Sequence, residues 1–357
     1  MKATCLLVVH MACLIGLALP CSGQTALRCD AARWVLIYSG GLSRPRYSVD
    51  DLTRYVAVVD SVGHPRTWLT TGAVFLELQG ASGNYLTAIT GAKPATGADW
   101  VQYLDSLFAQ RGVLRRLDSA VARVASVLGP RRRPFQVAIM IPYPDPRSGT
   151  VTLWGSKRDF RSNDGRAGAS VAYAREVTRR FRGGRFGHLN LEGFYWLMEG
   201  AGTPDTGLIH TVADGLHSLR TKFYWISDFF DFTRRHWTGT KALGFDQAWL
   251  QPNFFIDTMT SPARIDSALA LARAQGVGIE LEVDKRLFSS QVFAKRLEPY
   301  LVALDSAPDL LAGPLALYEG SGALLRLANS KDATLSQLYR HLARTFQVPA
   351  SAAKACN

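Results

Sequence analysis

Three acids stand two residues apart near position 280. Glu280, Glu282 and Asp284 alternate with Ile279, Leu281 and Val283 in the stretch 276–284. Side chains alternate across a strand, so a strand here carries its carboxyls on one face and its aliphatics on the other. Helix-like patterns flank it at 262–275 and 288–306, which predicts a strand of a parallel α/β sheet. Such strands are normally apolar on both faces, and buried carboxyls cost free energy unless something uses them. An antiparallel edge strand with a solvated acidic face is the plain alternative. The chemical reading is a catalytic or sugar-binding face. Another carboxylate, Glu199, ends the run Gly193-Phe194-Tyr195-Trp196-Leu197-Met198-Glu199, where alternation puts Tyr195 and Glu199 on one side. Two carboxyl groups across a cleft can cleave a glycosidic bond. One protonates the leaving oxygen; the other attacks carbon or activates water.

Other chemistries find less support. The seven histidines are scattered, with no His-x-His or His-Glu-x-x-His spacing for zinc. Gly-x-Ser-x-Gly and Gly-x-x-x-x-Gly-Lys-Ser/Thr are both absent, which argues against a serine hydrolase elbow and a phosphate loop. Asp228, Asp231 and Asp246 lack the spacing of an EF-hand loop. Helix capping for Asp228 and a buried hydrogen-bonding role for Asp246 are the simpler readings. No cofactor and no metal is expected.

Elements that could position these acids recur along the chain. Strand-like runs fall at 34–38, 73–78, 135–142, 189–199, 223–226, 245–251, 276–284 and 315–319, and most are followed by a helix-like segment. Residues 48–61 have helical spacing, and Ser261-Pro262 reads as a helix opening. Alternation of this kind predicts an α/β fold, and eight repeats predict a (β/α)₈ barrel with inserted loops at 80–97 and 143–165. No Gly/Ser/Pro-rich linker divides the chain, so residues 24–357 are expected to form one barrel domain. An open doubly wound sheet is weaker, because no Gly-x-Gly-x-x-Gly turn follows the first strand.

In such a barrel the site lies at the carboxyl ends of the strands. The strand list then becomes a site list, with Glu199 as general acid/base and Glu282 as nucleophile or second base. Glu280, one alternation step away, is the alternative second carboxylate. Tyr143, Tyr195, Asp228, Gln251, Asn253 and Asp284 are expected to position a sugar, since rings stack on C–H faces and amides and acids bind hydroxyls. Glu199 and Glu282 fit strands four and seven, the arrangement of many retaining glycosidases on this fold. Met198 stands where those enzymes usually have Asn before the acid. A non-catalytic glycan-binding barrel and a lyase acting on uronic acids are the competing readings.

The formal net charge is +12 over 357 residues, without a basic block long enough for a nucleic-acid arm. That balance suits an anionic polymer or acidic glycan better than DNA. Lys2, the apolar run 6–19 and the small residues 21–23 make a signal-peptide pattern. Cleavage is expected near Gly23, giving a secreted or periplasmic protein with no transmembrane segment in the mature chain. Lipid anchoring at Cys21 ranks second, because Pro20 fits a lipobox poorly. Cleavage leaves Cys29 and Cys356, which an oxidising compartment allows to pair.

Three motifs occur in order: Gly193-Phe194-Tyr195-Trp196 with Glu199; Leu243-Gly244-Phe245-Asp246 running to Leu250-Gln251-Pro252-Asn253-Phe254; and Gly278-Ile279-Glu280-Leu281-Glu282. Together they resemble a bacterial domain-of-unknown-function family of exported, glycoside-hydrolase-like barrel proteins. The resemblance covers nearly the whole mature chain. It implies a barrel and a glycan substrate, and it supplies no established mechanism.

Overall fold

The structure, a computed structural model, describes residues 32–41, 44–200, 203–234, 239–320 and 322–347. The expected leader 1–23, Cys21, Cys29 and Cys356 lie outside the described residues.

Eight short strands form the frame. They are β1 (Arg33–Tyr38), β2 (Gly72–Leu76), β3 (Phe135–Ile141), β4 (Leu189–Trp196), β5 (Lys222–Asp228), β6 (Gln247–Gln251), β7 (Gly278–Glu282) and β8 (Leu315–Tyr318). Each pairs in parallel with the next, and β8 returns to β1, which closes a barrel. Helices separate the strands, so the expected (β/α)₈ fold is the observed one. Both inserted segments are present; 143–165 carries a hairpin of Thr150–Leu153 and Ser156–Asp159.

Local signals explain most element ends. Ser48 and Asp51 form a capping box that starts helix Val49–Val56, and Thr96 with Asp99 does the same for Gly97–Phe108. Helix Ala263–Gln275 ends at Gly276, whose φ of 63° suits glycine. Two expectations need correction. The helical pattern over 48–61 stops at Val56, and Ala57–Val59 pairs instead with Pro65–Trp68 as an antiparallel hairpin. The consecutive β-branched Val58 and Val59 favour that strand. Ser261 does not act as the N-cap of Ala263–Gln275; Pro262 takes that place without a side-chain cap.

The floor of the barrel is built from three aromatic rings and three glycines. Trp34 on β1 meets Tyr224 on β5 and Trp249 on β6, with ring centroids 5.2 and 6.1 Å apart. Those strands are not neighbours of β1, so the rings can only meet through the interior. Room for them comes from Gly72, Gly193 and Gly278. A Cβ at those positions would stand 3.1 Å from Trp34, 2.9 Å from Tyr224 and 2.6 Å from Trp249. Close packing leaves no slack for it. This layer closes the amino-terminal end and leaves the carboxyl-terminal end to hold polar groups.

Candidate active site

The floor fixes which face of each strand looks inward. Trp249 pairs in register with Gly278, and the missing Cβ of Gly278 points at the Trp249 ring. Alternation from Gly278 therefore turns Glu280 and Glu282 inward and Ile279 and Leu281 outward, toward the helices. The acidic face of β7 is the interior of the barrel. Likewise Trp34 sets Tyr38 inward on β1, and Tyr224 sets Asp228 inward on β5.

Glu280 lies just above the floor and is 1% exposed. Its Oε1 has no hydrogen-bond partner among the described residues. Burial pushes its carboxyl well above the usual range, and the charges of Glu282 and Glu199 add to that. Tyr38, Tyr195 and Tyr318 surround the same space. Burial raises each of these phenols, and the charges of Glu199 and Glu280 contribute in all three.

Glu282 is fully buried but partnered. The Tyr300 hydroxyl donates to its Oε2, and Gln251 Nε2 donates to Oε1 at 3.3 Å. Tyr300 is itself held by the backbone N–H groups of Phe254 and Phe255, both at 3.2 Å. Burial lifts the Glu282 carboxyl to about 7, while the two side-chain donors favour its charged form and pull the other way. Of the two inward acids on β7, Glu282 is thus the one arranged to ionise.

Glu199 follows β4 and is the exposed member of the three. The protein around it raises its carboxyl to about 7, with a smaller contribution from Asp228; contact with solvent softens that rise. Glu199 lowers the acidity of both Glu280 and Glu282, so the three carboxyls share one mouth. Such a set can hold a proton on one member while another is charged, which acid/base chemistry needs.

The remaining predicted residues divide. Tyr195, Asp228 and Gln251 line or border this interior, although Asp228 also accepts from Phe230 N at 2.9 Å as a helix cap. Asn253, with φ of 57°, uses its Oδ1 to accept from Phe229 N at 2.8 Å, so its carbonyl is committed to the neighbouring loop. Asp284 is clamped by Arg286, with N···O of 2.6 Å. Tyr143 donates to Asp205 at 2.8 Å and accepts from Arg166 at 2.7 Å, while Arg166 pairs with Asp205 at 2.8 Å. The hydroxyl of Tyr143 thus belongs to a structural triad at the end of β3.

Three residues, Tyr300, Tyr38 and Glu77, escaped the sequence reading, whereas Glu319 ends the strand-like run 315–319. Tyr300 reaches Glu282 from helix Glu298–Asp305, where no strand-end signal marks it. Tyr38 ends β1, within a run at 34–38 that signals only a strand. Glu77, immediately after β2, pairs with Arg44 at 2.8 Å; an acid at a strand end was a visible clue. Glu319, after β8, is fully buried and accepts from Gly322 N and Leu324 N at 2.8 and 3.2 Å. Those bonds oppose burial, which still holds its carboxyl up at about 7.

A cavity of about 600 Å³ opens at the other end of the barrel, beneath the aromatic floor, and includes Trp34, Gln136, Lys222 and Asp246. Its two acids are engaged, Glu192 by Lys222 and Asp246 by His217. The floor separates it from the carboxyl cluster, so it takes no part in that chemistry. Among the described residues, no group of three His, Cys, Asp or Glu side chains could hold a metal ion, and no helix is long and apolar enough to cross a membrane.

Comparison with known proteins adds a family and little more. A search of curated proteins finds no match. Among solved structures, a family 18 chitinase from Crocus vernus is similar at 11% identity and TM-score 0.43, over 88% of this chain and 100% of that one. PbGH5A, a glycoside hydrolase family 5 enzyme from Prevotella bryantii B14, gives 10% identity and TM-score 0.42, over 91% and 98%. A type I 3-dehydroquinate dehydratase from Clostridium difficile gives 7% and 0.37, over 88% and 92%. At these values none of them bears on the reaction. The family profile described as "Domain of unknown function (DUF4855)" matches residues 33–344, nearly the whole described barrel, and the chain belongs to that family.

Proposed function

We propose that the protein is an exported glycoside hydrolase acting on a poly- or oligosaccharide. One observation carries the reading: Glu280 and Glu282 point into the carboxyl-terminal end of the barrel with Glu199 at its mouth, and the charge of Glu199 raises the proton affinity of both. Three carboxyls gathered there weaken the fold, which is reasonable where a reaction uses them. Glu199, exposed and with its carboxyl raised, is the general acid/base. Glu282, fixed by Tyr300 and Gln251, is the nucleophile or the base that activates water. Glu280 lies beneath them, its proton affinity raised by burial, with one oxygen available to accept from a sugar hydroxyl. Tyr38, Tyr195 and Tyr318 offer faces and hydroxyls to the ring.

A second reading is a barrel that binds glycan without cleaving it. It is favoured by the burial of Glu280 and Glu282, at 1% and 0% exposure, since a nucleophile must reach its substrate. Screening the purified protein against a panel of polysaccharides, with product analysis alongside binding, separates the two. Released sugars supports hydrolysis; binding without products supports the second reading.

A further inference from the structure

A groove of about 560 Å³ lies beside the end of β1, between the loop that follows this strand and the start of helix Val113–Leu128. Its lining includes Arg44, Arg46, Arg111 and Arg116, and no carboxylate. Two of these cations have structural duties. Arg44 pairs with Glu77 at 2.8 Å, and Arg116 donates to the carbonyl of Tyr47 at 3.0 Å. Arg46 and Arg111 are exposed, and neither forms a hydrogen bond or ion pair among the described residues. Arg46 and Arg111 thus add two unpaired guanidiniums to one concavity whose lining holds four arginines and no carboxylate.

The groove also adjoins the mouth. The Arg44 guanidinium sits 4.5 Å from the centre of the Tyr38 ring, and Tyr38 shares the interior with Glu280. An acidic centre thus borders an arginine-lined groove. A sugar bearing a negative charge is repelled from the three carboxyls and attracted to the guanidiniums. Guanidinium forks match the paired oxygens of carboxylate, sulfate and phosphate groups.

We propose that this groove is an anion-binding subsite, so that the substrate is an acidic glycan. Its charged substituent rests on Arg46 and Arg111 while an uncharged bond lies at the acids. The proposal rests on the glycan reading above and names the class of glycan.

Direct binding tests it without turnover. The probes are oligosaccharides of four to six sugars carrying uronate carboxylates, sulfate esters or phosphate esters, each beside a neutral oligosaccharide of the same length. Calorimetry at low ionic strength compares the wild-type protein with the double variant Arg46→Gln/Arg111→Gln. At least one anionic probe is expected to bind the wild type tenfold or more tightly than its neutral counterpart. That advantage should vanish in the variant and weaken as salt is added. The identity of the preferred probe assigns the anion. Neutral binding and melting temperature should be unchanged, because both side chains are exposed and unpaired. Equal affinity for anionic and neutral probes, or an undiminished preference in the variant, overturns the proposal. If anionic probes bind through these arginines and no bond is ever cut, the groove stands and hydrolysis falls. If neutral glycans are cut and the arginines make no difference, hydrolysis stands and the groove falls.

Discussion

Glu282→Gln keeps the shape of the side chain and removes its charge. In the unfolded chain this carboxyl titrates near 4.5, and burial lifts it to about 7 in the folded protein. Between those values the folded state binds a proton that the unfolded state has lost, so the group lowers stability as pH rises. The loss is complete above the folded value. At roughly 1.4 kcal/mol per pH unit, Glu282 costs the fold about 3 kcal/mol at pH 8 and little at pH 5. The variant avoids that cost. Its amide oxygen still accepts from Tyr300, and its amide nitrogen can donate to Gln251 Oε1, which has no partner among the described residues of the wild type. Urea denaturation at pH 5 and pH 8 measures the difference. The variant should be close to wild type at pH 5 and more stable by about 2–3 kcal/mol at pH 8. Groups that do not feel Glu282 cancel in the variant-minus-wild-type comparison, and Glu280, whose carboxyl the Glu282 charge raises, shifts in the same stabilising direction when that charge is removed. An equal effect at both pH values, or a variant less stable at pH 8, would refute the reasoning that Glu282 is a buried, proton-hungry carboxyl.

Further outcomes follow from the frame. Gly278→Ala places a methyl 2.2 Å from the carbonyl oxygen of Pro314 and 2.6 Å from Trp249. It should cost about 1–3 kcal/mol and lower Tm in a thermal melt, whereas an unchanged Tm would contradict the glycine–aromatic floor. Asn253→Ala removes the acceptor for Phe229 N and strains a residue at φ of 57°. A stability loss of about 1–2 kcal/mol is expected, and retained stability with lost glycan binding would instead mark Asn253 as a sugar contact. Arg33 and Gln347 line one cavity, which brings the two ends of the described chain together. Cys29 and Cys356 are accordingly expected to form a disulfide in an oxidising compartment, worth roughly 5 kcal/mol in the chain-entropy model. Mass spectrometry of unreduced protein checks it, and two alkylatable thiols refute it.

The barrel was legible because each strand is a short apolar run followed by a helical period, and eight repetitions admit few topologies. The acidic strand was visible for the opposite reason: Glu280 and Glu282 break the pattern that a buried parallel strand should show. Contacts that require closure were not legible. Nothing local in Gly72, Gly193 or Gly278 reveals that each makes room for a ring from the interior. Tyr300 is a helix residue that meets Glu282 only once helix and strand are packed. Asn253 and Asp284 read equally well as sugar contacts and as loop anchors, because short polar side chains bond readily to nearby backbone. The structure engages both locally, Asn253 with Phe229 N and Asp284 with Arg286. The hairpin at 57–68 was hidden by a helical spacing that continues past the point where β-branched residues take over.

The central claim is that Glu199, Glu280 and Glu282 form one catalytic cluster. Turnover by Glu199→Gln, Glu282→Gln and Glu280→Gln, on whichever polysaccharide the panel identifies, tests it most directly. Glu199→Gln and Glu282→Gln should each lower kcat by orders of magnitude with the fold intact. Azide should restore Glu282→Gln with inverted product if Glu282 is the nucleophile. Near-normal turnover by Glu282→Gln with loss in Glu280→Gln would move that role to Glu280. Near-normal turnover by all three variants would contradict the account, because the acidic interior would then not be the active site.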